Sequence, residues 1–268
     1  MTELKIWDKE IPYFDANITN EPNADINKIR FFPADTKEKV PTVAIFPGGG
    51  YSIRCEDKEG SDIAEMFNKA GYHAAVIEYR VAPYYHPCEL LDAQRAIKVL
   101  RYNADKLGID ENKIIVCGFS AGGHLAGITA TMQDICNIYG DEIDKVSCKV
   151  NGSILCYAVS SSDENIAHIG SFRNMLGPNI DKKDEFSVDK TVTPETGPCF
   201  IWHTAEDDAV PVQNSLRLAE ALIKNKVPCE MHIYPFGWHG QGLGVDFPHI
   251  RSWAPLATKW IKDVIEGK

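Results

Sequence analysis

Ser120 has the sequence context of a catalytic nucleophile. It is the central residue of Gly118–Phe119–Ser120–Ala121–Gly122, which follows the apolar run 114–117. The apolar run predicts a buried strand, and the Ala- and Leu-containing sequence after Gly122 can form a helix. A serine between a strand and a helix, with glycine two residues before and after it, is typical of a nucleophile elbow. The first amides of such a helix face the atom that the serine attacks.

A serine hydroxyl needs a nearby base, and that base needs a carboxylate to orient it. His239 follows a predicted strand over 227–234 and lies next to Gly240, so it is free to reach inward. We therefore predict that His239 is the base. The other histidines fit less well, because they lie within predicted helices or strands or lack the strand end: His73, His86, His124, His168, His203, His232 and His249.

Three adjacent carboxylates, Glu206, Asp207 and Asp208, follow the predicted strand over 198–203. A serine, then an acid, then a histidine is the chain order of the α/β-hydrolases. Spacing alone does not choose among the three acids. Two or all of them could instead be solvated loop charges or cap the next helix.

A glycine-rich turn, Pro47–Gly48–Gly49–Gly50–Tyr51, follows the apolar run 40–46. Three glycines after a buried strand can fold back with exposed N–H groups and form a donor site for an oxyanion. The alternative is a flexible turn. A phosphate-binding P-loop is excluded because no Gly-Lys-Ser/Thr sequence follows.

Apolar β-rich runs alternate with helical patterns through most of the chain, which predicts a mostly parallel, doubly wound sheet with helices on both faces. The functional crevice of such a sheet lies at the carboxyl ends of its strands, so the glycine turn and Ser120 should lie on one side. The predicted strands are 40–46, 73–79, 114–119, 152–157, 198–203 and 227–234. The predicted helices are 62–70, 90–106, 120 onward, 212–225 and 250–265.

The length of 268 residues predicts one domain, 1–268. Within it, residues 1–40 should supply one or two antiparallel strands, whose exposed edges could pair in a homodimer. Residues 158–197 are polar and irregular in pattern, and we predict a short lid or side wall there.

Composition narrows the class of protein. With 44% hydrophobic and 25% charged residues the chain should fold around a large core. Its net charge of −10 argues against nucleic acid or an anionic membrane as partner. The eight cysteines are scattered without metal-ligand spacing, and residues 1–5 do not resemble a secretory signal. These features predict a cytoplasmic protein without a metal site.

Five motifs, taken together, resemble the bacterial α/β-hydrolase esterases related to hormone-sensitive lipase, and above all their acetyl esterase or acetyl-xylan-esterase-like branch. The likeness covers roughly residues 38–265. One departure is Pro47, which replaces the first histidine of the usual H-G-G-G motif. The motifs are Pro47–Gly48–Gly49–Gly50–Tyr51, Tyr79–Arg80–x–Ala82–Pro83, Gly118–Phe119–Ser120–Ala121–Gly122–Gly123–His124, His203–Thr204–Ala205–x–Asp207–x–x–Val210–Pro211 and His239–Gly240.

This resemblance implies a two-step acyl transfer that needs no metal or organic cofactor. It implies Ser120 as nucleophile, His239 as general base and Asp207 as the acid, four residues before Pro211. It also implies oxyanion donors from the backbone N–H groups of Gly49, Gly50 and Ala121. The substrate would be a small ester, with acetylated sugars or xylo-oligosaccharides first. We further expect substrate contacts from Tyr51 and from Trp238, which could be a sugar platform or simply pack.

Two other functions are compatible with these motifs. The same triad would serve a general short-chain carboxylesterase or an amide-cleaving hydrolase of the formamidase or peptidase type. The loops that shape the leaving-group pocket, 51–60, 84–88 and 158–197, do not separate these activities. A non-catalytic binding protein on the same scaffold would lack a triad member or an oxyanion glycine, and none is missing.

Overall fold

The computed structural model describes residues 1–24 and 26–267. One eight-stranded sheet organises this part of the chain, in the order β1-β2-β4-β3-β5-β6-β7-β8. The strands are β1 Thr2–Lys5, β2 Lys28–Phe32, β3 Val40–Phe46, β4 His73–Glu78, β5 Ile109–Phe119, β6 Gly152–Cys156, β7 Cys199–Thr204 and β8 Cys229–Tyr234.

Strands β4, β3, β5, β6, β7 and β8 pair in parallel. Their short apolar sequences fit strands that are covered on both faces. In β4, Ala75 and Ile77 pack into the core on one side, while Ala74 and Val76 pack into the core on the other. The predicted mostly parallel sheet with a core on each face is therefore confirmed.

Residues 1–40 contribute the two antiparallel strands at one edge of this sheet. β1 pairs with β2, and β2 pairs with β4. Alternation in β2 buries Ile29 and Phe31, whereas the other residues of the strand are only half-buried. The edge strand β1 is mostly exposed.

The helices agree with the predicted segments in type more closely than in extent. The predicted helix 90–106 begins earlier, and it breaks at Asn103 before Gly108 ends the second piece with φ 73°. The helices are α1 Glu21–Ala24, α2 Asp62–Lys69, α3 Cys88–Tyr102, α4 Ala104–Leu107, α5 Ser120–Thr131, α6 Ile169–Leu176, α7 Val188–Thr191, α8 Gln213–Lys224 and α9 Trp253–Trp260.

Shorter helical turns extend this set. A π-helical turn, Asp57–Ser61, precedes α2, and another, Ile261–Ile265, continues α9. A 3₁₀ turn, Pro248–Ser252, leads into α9, so the predicted helix 250–265 changes its hydrogen-bonding pattern twice. Throughout the described ranges, no helix is both long and apolar enough to cross a bilayer.

The expectation that 158–197 is irregular was wrong. This segment contains α6, a 3₁₀ stretch Gly177–Phe186 and α7. Its start is held by Asn214 of α8, whose Oδ1 accepts the N–H groups of Ser160 and Ser161 at 3.1 and 2.9 Å. These helices were not predicted because each is short, and because only a few positions in each face the core, so the sequence shows no clear apolar periodicity.

Candidate active site

Ser120 lies in a strained turn between β5 and α5. Its φ is +54°, a left-handed conformation that non-glycine residues rarely adopt without support from their surroundings. Small neighbours allow this turn. A Cβ atom on Gly118 would lie 2.2 Å from the Gly122 carbonyl oxygen, and one on Gly122 would lie 2.1 Å from that of Phe46. The strand, the helix and the end of β3 therefore meet closely around the serine.

This close approach predicts that Gly122→Ala is destabilising. The new methyl group would overlap the backbone of Phe46 and Pro47, so α5 must move away from β3. We expect a loss of about 1–3 kcal/mol in the free energy of unfolding, measured by chemical denaturation, together with reduced activity. Gly170→Ala in α6 is the control, because Gly170 does not have a left-handed φ and its Cβ would come no nearer than 3.4 Å to another atom, in the His168 side chain. Equal activity losses in both variants would contradict the packing argument.

Three predicted residues form an unbroken hydrogen-bonded chain. His239 Nε2 lies 2.7 Å from Ser120 Oγ, and His239 Nδ1 lies 2.7 Å from Asp207 Oδ2. Because Oδ2 of a carboxylate only accepts, Nδ1 carries the proton and the lone pair of Nε2 faces the serine hydroxyl. This arrangement can remove the Ser120 proton as the hydroxyl attacks a carbonyl carbon.

Asp207 is buried and receives several further donors. Its Oδ1 accepts the N–H groups of Ala209 and Val210 at 3.0 and 2.8 Å. His203 Nε2 lies 3.2 Å from Oδ2. Burial alone would raise the pKa of Asp207, but hydrogen bonds from His203 and His239 hold that pKa below its usual range. The carboxylate therefore stays ionised beside the imidazole.

The structure distinguishes the three acids that spacing left open. Asp207 is 7% exposed and contacts His239, whereas the side chains of Glu206 and Asp208 are exposed to solvent. All three lie in the loop after β7, but only Asp207 points toward the sheet. Its two amide donors come from the residues just before α8, which orient the carboxylate.

The glycine turn lies beside Ser120, since a Cβ on Gly48 would be 3.0 Å from the Ser120 Cβ. The Gly48 N–H donates to Glu59 Oε2 at 2.8 Å. In the described structure, neither the Gly49 N–H nor the Gly50 N–H has an acceptor within the chain. Ala121 is the second residue of α5, whose first amides have no partner inside the helix. Three predicted donors are thus available for an oxyanion.

The two predicted substrate contacts differ in their surroundings. Tyr51 is only 1% exposed, and its hydroxyl donates to His124 Nδ1 at 2.7 Å, so its side chain is packed inside the protein. The structure thus gives Tyr51 no surface for a substrate. Trp238, next to His239, is 55% exposed and packs edge-on against Phe247 with ring centroids 4.6 Å apart.

Burial explains why His124 is not an alternative base. Its Nε2 donates to the Phe186 carbonyl at 2.7 Å. Burial lowers the pKa of His124 to about 4, because the charged ring would lose its hydration. This histidine therefore connects the glycine turn, through Tyr51, to the segment 158–197.

Sequence reasoning missed three buried residues around this chain: Glu59, Tyr157 and His203. Tyr157 packs edge-on against the His239 ring with centroids 5.1 Å apart, and its hydroxyl donates to Glu59 Oε1. His203 was predicted to lie within a strand, which it does, but its contact with Asp207 was not foreseen. The signal for His203 was its place four residues before Asp207; nothing in the sequence pointed to Glu59.

The segment 158–197 also contacts the glycine turn beside Ser120. Asn174 of α6 donates from Nδ2 to the Gly50 carbonyl at 2.8 Å. His168 caps α6 by accepting the Ser171 N–H, and burial, followed by the nearby charge of His239, lowers the pKa of His168. Over the described residues, no group of three or more His, Cys, Asp or Glu side chains is arranged to hold a metal ion.

Comparisons with known proteins identify the family that the chain resembles. Residues 30–222 match the family model BD-FAE. The chain is 28% identical to the acetylxylan esterase of Xylanibacter ruminicola over 257 residues, which is 94% of this chain and 50% of that protein. It is 37% identical over 214 residues to endo-1,4-beta-xylanase B of Butyrivibrio fibrisolvens, covering 78% of this chain and 33% of that protein.

A solved structure matches over nearly the whole chain. It is an acetyl ester-xyloside bifunctional hydrolase from Caldicellulosiruptor lactoaceticus, with a TM-score of 0.90 and 39% identity over 98% of this chain and 96% of that one. The chain spans half or less of the two curated relatives described above, since it covers 50% and 33% of their lengths. The shared fold and sequence therefore concern one part of those longer proteins.

Proposed function

Since this chain belongs to the BD-FAE family and has the α/β-hydrolase fold, we propose that it is a serine esterase that removes acetyl groups from acetylated sugars or xylo-oligosaccharides. The observation that carries this proposal is the unbroken chain Asp207–His239–Ser120, with two unpaired amides, those of Gly49 and Gly50, close to the serine. The acetylated-sugar substrate is supported by the names of the acetylxylan esterase and of the acetyl ester-xyloside hydrolase.

The first step forms an acyl-enzyme. Ser120 Oγ attacks the ester carbonyl carbon while His239 Nε2 takes the hydroxyl proton. The negative charge that develops on the carbonyl oxygen is stabilised by the N–H groups of Gly49, Gly50 and Ala121. Asp207 stabilises the imidazolium, which then gives its proton to the leaving alcohol as the tetrahedral intermediate collapses.

The second step returns the free enzyme. Water attacks the acetyl–Ser120 ester, with His239 again acting as base, and the same amides hold the second oxyanion. Collapse releases acetic acid and restores the Ser120 hydroxyl. Every proton in this cycle moves through His239 Nε2, so no metal is needed to activate the water.

The segment 158–197 is proposed to be a side wall that limits the acyl group. Asn174 brings α6 against Gly50, directly beside the proposed oxyanion donors. The space on that side therefore suits a short acyl chain. We keep the cytoplasmic location and the homodimer as predictions that rest on sequence alone.

Chain-length preference tests the proposed substrate class. Wild-type protein is expected to hydrolyse p-nitrophenyl acetate much faster than p-nitrophenyl octanoate, because in this proposal α6, which contacts Gly50, limits the length of the acyl chain. It should also release acetate from acetylated xylo-oligosaccharides, measured by an acetate assay. Equal turnover of both p-nitrophenyl esters would contradict the acyl assignment. Turnover of anilide analogues alone would favour an amide-cleaving hydrolase.

A further inference from the structure

Glu59 is a buried carboxylate that the mechanism above does not use. It is only 3% exposed, although a charged side chain is rarely enclosed unless it is paired. The π-helical turn Asp57–Ser61 presents it, through hydrogen bonds from Glu59 N to Cys55 O and from Ser61 N to Glu56 O. Such π turns are frequently found at functional sites.

Both carboxylate oxygens of Glu59 are occupied by elements of the proposed active site. Oε2 accepts the Gly48 N–H at 2.8 Å, and Oε1 accepts the Tyr157 hydroxyl proton at 2.7 Å. Gly48 immediately precedes the two amides that remain free for an oxyanion. Glu59 therefore anchors the glycine turn at Gly48, whose N–H group is then not available to an oxyanion.

Tyr157 carries this connection to the other side of the site. Its hydroxyl accepts the Gly242 N–H at 2.9 Å, three residues after His239. Its ring meets the His239 ring edge-on at 71°. One carboxylate is thus linked to the glycine turn, to the residue after β6 and to the loop that carries the histidine.

We propose that Glu59 is a positioning residue for ester cleavage, which holds the oxyanion donors and the His239 loop in register and places a negative charge near the imidazolium. This inference rests on the proposed function. It adds a second buried carboxylate, connected to the site through Gly48 and Tyr157. Glu59 acts through Gly48 and Tyr157 and does not touch the reacting atoms.

The charges around Glu59 set the direction of its effect. Burial raises the pKa of Glu59 above its ordinary value, and the hydrogen bonds from Tyr157 and Gly48 and the charge of His239 offset only part of that rise. A carboxylate that accepts two hydrogen bonds is matched to its ionised form. The titratable groups that interact with it or with His239 are Cys55, Lys58, Tyr79, Cys156, Tyr157, His168 and Asp207.

Glu59→Gln keeps the side-chain shape but removes the charge and leaves one acceptor oxygen where the carboxylate has two, so either the Gly48 N–H or the Tyr157 hydroxyl loses its acceptor. We expect kcat for p-nitrophenyl acetate to fall about 10- to 100-fold, as for other groups that orient an active residue indirectly, with little change in KM. The acid limb of the kcat/KM profile should move to lower pH, because a negative charge favours the protonated imidazole. Labelling of Ser120 by diisopropyl fluorophosphate, followed by intact mass, should slow by a similar factor.

Two further variants distinguish a positioning role of Glu59 from a purely structural one. Tyr157→Phe keeps the Glu59 charge, so kcat should fall while the acid limb stays in place. Glu56→Gln makes the same chemical change three residues earlier, where the carboxylate pairs with Arg54 and Arg30 instead of the site, and should behave as wild type.

The outcomes are distinguishable. Wild-type kcat and labelling rate in Glu59→Gln would overturn the inference, and so would a fall in kcat that matches a loss of thermal stability with the acid limb unmoved. If wild-type protein hydrolyses no ester, the proposed function fails, whereas the labelling rates of the Glu59→Gln and wild-type proteins still decide the role of Glu59.

Discussion

Ser120→Ala is expected to lower kcat/KM for p-nitrophenyl acetate by about 10⁶-fold, the scale seen when a triad nucleophile is removed. The hydroxyl is the only group in the Asp207–His239–Ser120 chain that can form the acyl-enzyme, and alanine leaves His239 Nε2 without a proton to accept. Residual hydrolysis would come from direct attack of water on the bound ester, while the oxyanion donors stabilise the tetrahedral intermediate. The folded structure should persist, because alanine fills the turn with less bulk than serine.

Intact mass spectrometry checks this result independently of turnover. Wild-type protein should gain one organophosphoryl group from diisopropyl fluorophosphate, and the alanine variant none. Ser147→Ala is the matched control, because Ser147 is exposed and contacts only the backbone of Lys149 through its hydroxyl. An adduct that persists in Ser120→Ala would show that another residue is the nucleophile.

Asp207→Asn is expected to lower kcat by about 10⁴-fold at neutral pH. The amide can offer an N–H where His239 Nδ1 now donates, which favours the wrong tautomer of the ring and removes the lone pair that faces Ser120. The amide also loses the charge that stabilises the imidazolium. Steady-state rates of p-nitrophenyl acetate hydrolysis, measured beside wild type, would show the loss.

Asp208→Asn is the appropriate comparison, since it makes the same change at the next, exposed residue. We expect wild-type rates from it. If Asp208→Asn lost activity and Asp207→Asn kept it, the acid would have been assigned to the wrong carboxylate and the loop after β7 would have to rearrange on substrate binding.

Local patterns in the sequence were sufficient for most of the fold. Apolar runs such as 40–46 and 114–119 predicted strands β3 and β5, because strands buried on both faces leave no polar interruption. β5 nevertheless begins at Ile109, five residues before the predicted start. The prediction missed this part of the strand because residues 110–113 are polar and only partly buried. The helices within 158–197 were missed because each is short and only partly buried.

The sequence predicted the residues of the candidate site that must follow strand ends. It did not predict the residues that join the site through long-range side-chain contacts. Ser120, His239 and the acidic stretch 206–208 stand out because a nucleophile, a base and an acid must each follow a strand. Within that stretch, only the family resemblance singled out Asp207. Glu59 is different. It reaches Tyr157 across 98 residues of sequence, and no spacing rule relates a π-helical turn to the residue that follows β6. Tyr51 was expected to contact the substrate, but its side chain is buried and its hydroxyl is hydrogen-bonded to His124.

The hydrogen bonds that hold residues 158–197 in place bear on the rate of turnover. Asn214 of α8 binds the beginning of this segment, and Asn174 joins its middle to Gly50, so the segment is hydrogen-bonded both to α8 and to the glycine turn. In hydrolases with mobile lids, opening and closing on the microsecond to millisecond scale can limit turnover. Here the entropy of ordering that segment is lost once, as the chain folds, and is not lost again at each encounter with a substrate.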